Sequence, residues 1–132
     1  MYIVVLKLEV CLVTSPKQAT AIRKDLRMYA ITLYSLSPIQ QGIQSLHAVV
    51  EYSLKSDTEY WDWATSHKTM VVLNGGTTIS LKQIATDLDK IGVEVATFRE
   101  EDLDDITTAI AFLVDVRNDT HVTRYLKSMR LA

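Results

Sequence analysis

Residues 35–51, SLSPIQQGIQSLHAVVE, hold a helix start, an apolar stripe and a polar line in one short stretch, and the rest of the chain is read outward from them. Ser37-Pro38 is a helix N-terminus signature. The serine hydroxyl can accept from the unpaired first-turn amides, and proline loses nothing at the first helical position. Ile39, Ile43, Leu46, Val50 and Leu54 follow at steps of four, three, four and four, so the spacing predicts that they form the buried side of an α-helix. One residue further on, Gln40, Gln44, His47 and Glu51 repeat the steps and form a polar line rotated by about 100°. Gln40 is also the third helical residue after Ser37, where a glutamine closes a capping box.

The composition around this helix is that of one ordinary globular domain. The chain has 132 residues, 48% hydrophobic and 23% charged, enough to bury a single core. A formal charge of -2 excludes a protein coated in positive charge, so any nucleic-acid binding has to rest on a local basic patch. Cys11 is the lone cysteine, which excludes an internal disulfide and suits a reducing compartment; the cytoplasm is the expected location. There is no metal-ligand spacing and no cofactor motif. The opening MYIVVLKLEVCLV carries Lys7 and Glu9 and is too short to cross a bilayer, so no membrane partner is expected.

In chain order, residues 2–13 predict a β-branched strand and Ser15-Pro16 opens a helical stretch to about Arg27. Residues 1–27 are therefore either an added strand and helix packed on the domain or a loosely attached extension. MYAITLYS, from Met28, has strand alternation. After the long helix, Thr58 can cap a short helix, EYWDWATSH. Its Trp61 and Trp63 lie about 200° apart on a helix, so only one can point into the core. Lys68–Leu73 reads as a buried strand and Asn74-Gly75-Gly76 as a turn. Gly75-Gly76-Thr77-Thr78 lacks the lysine and spacing of a phosphate loop. Ser80 with Gln83 reads as a capping box, and Leu81, Ile84, Ala85, Leu88 and Ile91 as the stripe of a helix closed by Gly92. Val93–Phe98 alternates as a strand, Glu100–Asp105 is an acidic loop, and Thr107–Val116 is a continuously apolar strand, which places it in mid-sheet between helices. Asn118–Ala132 reads as a closing helix. This order predicts an α/β fold: a three-layer α/β/α sandwich with a mixed four-stranded sheet plus an N-terminal strand-helix extension.

Gln44, His47 and Ala48, in the order Q-x-x-H-A after a turn and a helix start, resemble the first helix of the archaeal and eukaryotic type of peptidyl-tRNA hydrolase, whose motif runs roughly G-K-x-x-x-Q-x-x-H-A. The family's lysine falls on Gln40 and its glycine on Ile39, so the basic residue of the motif is missing. EEDLDDITTAIAF resembles the family segment written D-A-G-R-T at the entry to the final strand. Thr108 stands for the threonine and Asp102 or Asp104 for the aspartate; the glycine and arginine are absent. The resemblance spans about residues 28–116.

What the resemblance implies is hydrolysis of the ester between a peptide and the terminal ribose of tRNA, which needs an activated water and a stabilised oxyanion. His47 would take the water, Asp102 or Asp104 would hold its imidazole, and Gln44 and Thr108 would donate to the substrate. Gln40 lies within reach of the same site but cannot supply a lysine's charge. Arg117, Arg124, Lys127 and Arg130 make the tail the most positive segment, either a grip on tRNA phosphates or a solvated face. The expected partners are tRNA or peptidyl-tRNA, with a homodimer left open. A tRNA binder without turnover and a protein-interaction module are the alternatives.

Overall fold

The computed structural model describes residues 23–132. The strand expected over 2–13 and most of the helix expected from Pro16 lie outside the described residues. Residues 23–25 carry no regular structure and Leu26 opens a strand, so the stretch expected to finish that helix is extended instead.

The elements are β1 (Leu26–Thr32), α1 (Pro38–Lys55), α2 (Asp57–Asp62) running into a π-turn (Trp63–His67), β2 (Thr69–Asn74), α3 (Thr78–Lys90), β3 (Ala96–Glu100), a 3-10 turn (Glu101–Leu103), β4 (Ile106–Asp115) and α4 (Thr120–Leu126). The sheet order is β2-β1-β4-β3. β1 and β2 are parallel, which the crossover through α1 and α2 permits, and β4 runs antiparallel to both β1 and β3. The sheet is thus mixed and four-stranded, as its sequence pattern predicts, with β1 and β4 in the middle.

Alternation along the two central strands splits the core between the faces. Tyr29, Ile31, Ile110, Phe112 and Val114 meet Leu81 and Leu88 of α3 and Val122 and Leu126 of α4. The Tyr29 and Phe112 rings stack there at 5.7 Å. Tyr125 ties α4 to α3 by donating to Asp87 at 2.9 Å, and burial together with that carboxylate pushes its hydroxyl up to about 12. Met28, Ala96, Ala109 and Ala111 on the opposite face meet Ala48, Val49 and Tyr52 of α1.

That second interface overturns the expected orientation of α1. Its buried residues are Gln44, Ser45, Ala48, Val49 and Tyr52, whereas Ile39, Ile43, Leu46, Val50 and Leu54 are exposed. At about 100° per residue the two sets lie on nearly opposite sides of the helix. The sheet explains the choice. It presents three alanines, so the helix face that fits closely is the one with Ser45 and Ala48 at its centre, and a row of isoleucine and leucine would hold the layers apart.

Other boundaries shift for local reasons. β2 is an edge strand in which only Leu73 is buried, not the buried strand its composition suggests. The closing helix stops at Leu126, after which the tail folds back on that edge: Asn74 N donates to the Arg130 carbonyl at 2.8 Å and Ala132 N to that of Val72 at 3.0 Å. Thr77, not Ser80, caps α3 by accepting from Ser80 N, while Gln83 donates to Asp87. Ser56, not Thr58, occupies the position before α2.

Candidate functional site

The site begins with an irregularity in β4. Phe98 pairs with Ala109 but Arg99 pairs with Thr107, so Thr108 is an extra residue, a β-bulge at the strand entry. Strict alternation would send Thr108 to the α3 side; the bulge turns it, with Ala109, toward α1. Thr108 is fully buried there and its hydroxyl donates to Gln44 Oε1 at 2.5 Å. Gln44 Nε2 in turn donates to Glu100 Oε2 at 2.9 Å. The order of donors is fixed: a hydroxyl gives its proton to the amide oxygen, which leaves the amide NH2 facing an acceptor carboxylate. Thr108 O also accepts from the Thr32 hydroxyl at 3.1 Å, so the bulge is held from both sides.

This chain opens on a cleft of about 330 Å³ lined by Leu36, Gln40, Gln44, Glu100, Asp102 and Leu103. The first turn of α1 forms one wall and the 3-10 turn the other. Ser37 Oγ accepts from Gln40 N, which fixes the helix start, and the Gln41 side chain donates to the Leu36 carbonyl at 3.0 Å, which holds the preceding loop. The Gln40 side chain does not return a hydrogen bond to complete the expected capping box among the described residues; it lines the cleft instead.

His47, the residue one turn past Gln44, is exposed, and its ring lies flat on Phe98 at 4.4 Å with a 9° interplanar angle. Phe98 pairs with the residue next to Thr108, so His47 sits above the entry to the last strand. It borders the cleft without lining it. Neither Asp102 nor Asp104 is hydrogen-bonded to the imidazole among the described residues. Asp102 faces the cleft, whereas Asp104 and Asp105 are left-handed residues (φ 57° and 58°) that turn the chain, with Asp105 ion-paired to Arg99. The cleft therefore brings together Gln40, Gln44, Asp102 and, behind them, Thr108.

Arg124, Lys127 and Arg130 belong to α4 and the tail, in the layer across the sheet from α1. They are exposed, and they are not beside His47. The cleft has carboxylates at its rim and no cation among its lining residues. Trp61 is exposed but follows the far end of α1, about 16 Å of helix away from Gln44; Trp63 packs against the core and donates to the Thr69 carbonyl at 2.7 Å. A larger cavity of about 390 Å³ lies at that same far end, among Tyr52, Glu59, Glu94, Asp119 and His121, and contains none of the candidate site residues.

Two participants were not legible as such. Glu100 was visible only as the first residue of an acidic loop, and Phe98 only as an alternating strand residue. Their roles depend on the bulge, for which the sequence carries no signal.

The fold is similar to that of a solved structure of a protein of unknown function, Atu0240, from Agrobacterium tumefaciens. The TM-score is 0.60 at 14% identity, over 83% of this chain and 99% of that one, a likeness of fold alone. No protein-family model and no curated protein matches the chain.

Proposed function

We propose that the protein is a peptidyl-tRNA hydrolase-like enzyme that cleaves the ester between a peptide and tRNA. The observation that carries the reading is the buried chain from Thr108 through Gln44 to Glu100, which ends in a cleft beside an exposed histidine. A glutamine amide fixed by partners at both ends is preorganised, and its second N–H remains free to donate to an ester carbonyl as negative charge develops on it. Thr108 spends its one proton on Gln44, so it acts as a positioning residue. His47 has an accessible ring held in one plane by Phe98, as a base or orienting group for water requires. Asp102 lines the cleft together with Gln44 and Asp104 does not, which makes Asp102 the better candidate for a carboxylate beside the leaving ribose. A volume of about 330 Å³ accommodates the reacting ester and its flanking groups, with the acceptor stem outside.

The test is cleavage of a short peptidyl-tRNA by purified protein. Turnover is expected in the wild type and loss of turnover without loss of thermal stability in His47→Ala. A wild-type rate equal to that of buffer would refute the reading.

Gln40, which lines the cleft where the resembled motif has a lysine, favours a second reading, a homologue without turnover that binds tRNA through its basic tail. It predicts salt-sensitive binding that weakens when Arg124, Lys127 and Arg130 are neutralised.

A further inference from the structure

The outer face of α1 is apolar along its whole length. Ile39 (70% exposed), Ile43 (40%), Leu46 (61%), Val50 (49%) and Leu54 (78%) form a stripe about 22 Å long that points away from the sheet. A surface helix ordinarily carries charge on that side. From Pro38 to Leu54 the only residue with a formal charge is Glu51, which belongs to the polar line and not to the stripe. The patch is at the upper end of the roughly 300–600 Å² that a monomer commonly exposes in one piece.

The spacing of the stripe identifies what covers it. Reversed about the point midway between residues 46 and 47, Ile39 falls on Leu54 and Ile43 on Val50. A two-fold interface demands this property, because each residue must meet its counterpart's counterpart. We infer that α1 packs antiparallel on α1 of a second copy of this chain. Ile39 then meets Leu54 of the partner subunit and Ile43 meets Val50 of the partner subunit. Two such patches bury roughly 1,000 Å² in total, the lower bound for a specific interface. An uncharged face offers nothing to a nucleic acid or a charged peptide. The pairing is independent of the hydrolase reading, but it bears on the same region: Leu46 of the partner subunit lies beside His47, so the second copy walls one side of the exposed imidazole.

The experiment is sedimentation velocity of the full chain at about 1 to 100 μM, with Leu46→Glu and Lys82→Glu compared under the same conditions. The expected result is a species of twice the 14.9 kDa chain mass for the wild type and for Lys82→Glu, which alters exposed α3 on the opposite layer, and a single-chain species for Leu46→Glu with cooperative unfolding retained. A wild-type monomer throughout, or a dimer that survives Leu46→Glu, overturns the inference. So does a Leu46→Glu chain that fails to fold while the wild type is monomeric, which would mean that the stripe is covered by the chain's own residues 1–22.

Discussion

Replacing Thr108 by valine removes one hydroxyl and keeps the volume, which makes it the sharpest probe of the site. Thr108 is fully buried and Gln44 is 3% exposed, so when the hydroxyl is lost no water can take its place at Gln44 Oε1. The cost is then the desolvation of an unpaired amide oxygen, about 1–3 kcal/mol, rather than the smaller net value of an exposed hydrogen bond. For a domain of this size each kcal/mol corresponds to roughly 3–5 °C in melting temperature, so a fall of about 3–15 °C is expected. Urea unfolding and thermal melts of the wild type, Thr108→Val, Gln44→Leu and the double variant form a cycle. In the double variant both partners of the bond are apolar, and the two losses should overlap by about 1 kcal/mol or more. Losses that simply add, or a Thr108→Val change within about 0.5 kcal/mol of zero, would show that the bulge does not hold Gln44 and would remove the basis for assigning it a preorganised role.

Three further outcomes follow from individual side chains. Ser45 is buried against the sheet with an Oγ that has no partner among the described residues, so Ser45→Ala should stabilise the chain by up to about 1 kcal/mol in urea unfolding. Gly75 sits where a Cβ would come within 2.8 Å of Ile31 and 2.9 Å of Leu81, and Gly75→Ala should cost about 1–3 kcal/mol by the same measurement. Burial acts to raise the pKa of Asp115, but hydrogen bonds from the Asn118 side chain and the amides of Asp25 and Arg117 outweigh it and hold the carboxyl below its ordinary range. A depressed native pKa stabilises the fold above the unfolded value of about 3.9 and loses that effect as pH falls through the native value. Unfolding free energy measured from pH 5 down to pH 2 should therefore fall less steeply in Asp115→Asn than in the wild type.

Why the architecture was legible and the site only partly so comes down to what each depends on. Strand and helix order follows from local signals: Ser37-Pro38 starts α1, Gly92 follows α3, and the unbroken apolar run of β4 requires cover on both faces. The facing of α1 is different in kind. Counting apolar residues favours the Ile39-to-Leu54 stripe, and nothing within the helix argues otherwise; the decision is made by Ala96, Ala109 and Ala111, more than forty residues away. The polar line of Gln40, Gln44 and His47 was read from the sequence, but its surroundings were not. One extra residue in β4 decides that Thr108 faces Gln44, and the pairing of β3 with β4 decides that Glu100 and Phe98 stand beneath α1. These two discrepancies share a cause. The small residues that draw α1 onto the sheet also bring Gln44 within reach of the bulge, and in doing so they leave the large apolar side chains outward. The buried polar chain and the exposed stripe are two consequences of one rotation of the helix, so a substitution such as Ala109→Leu, which would force α1 away from the sheet, should disturb both together.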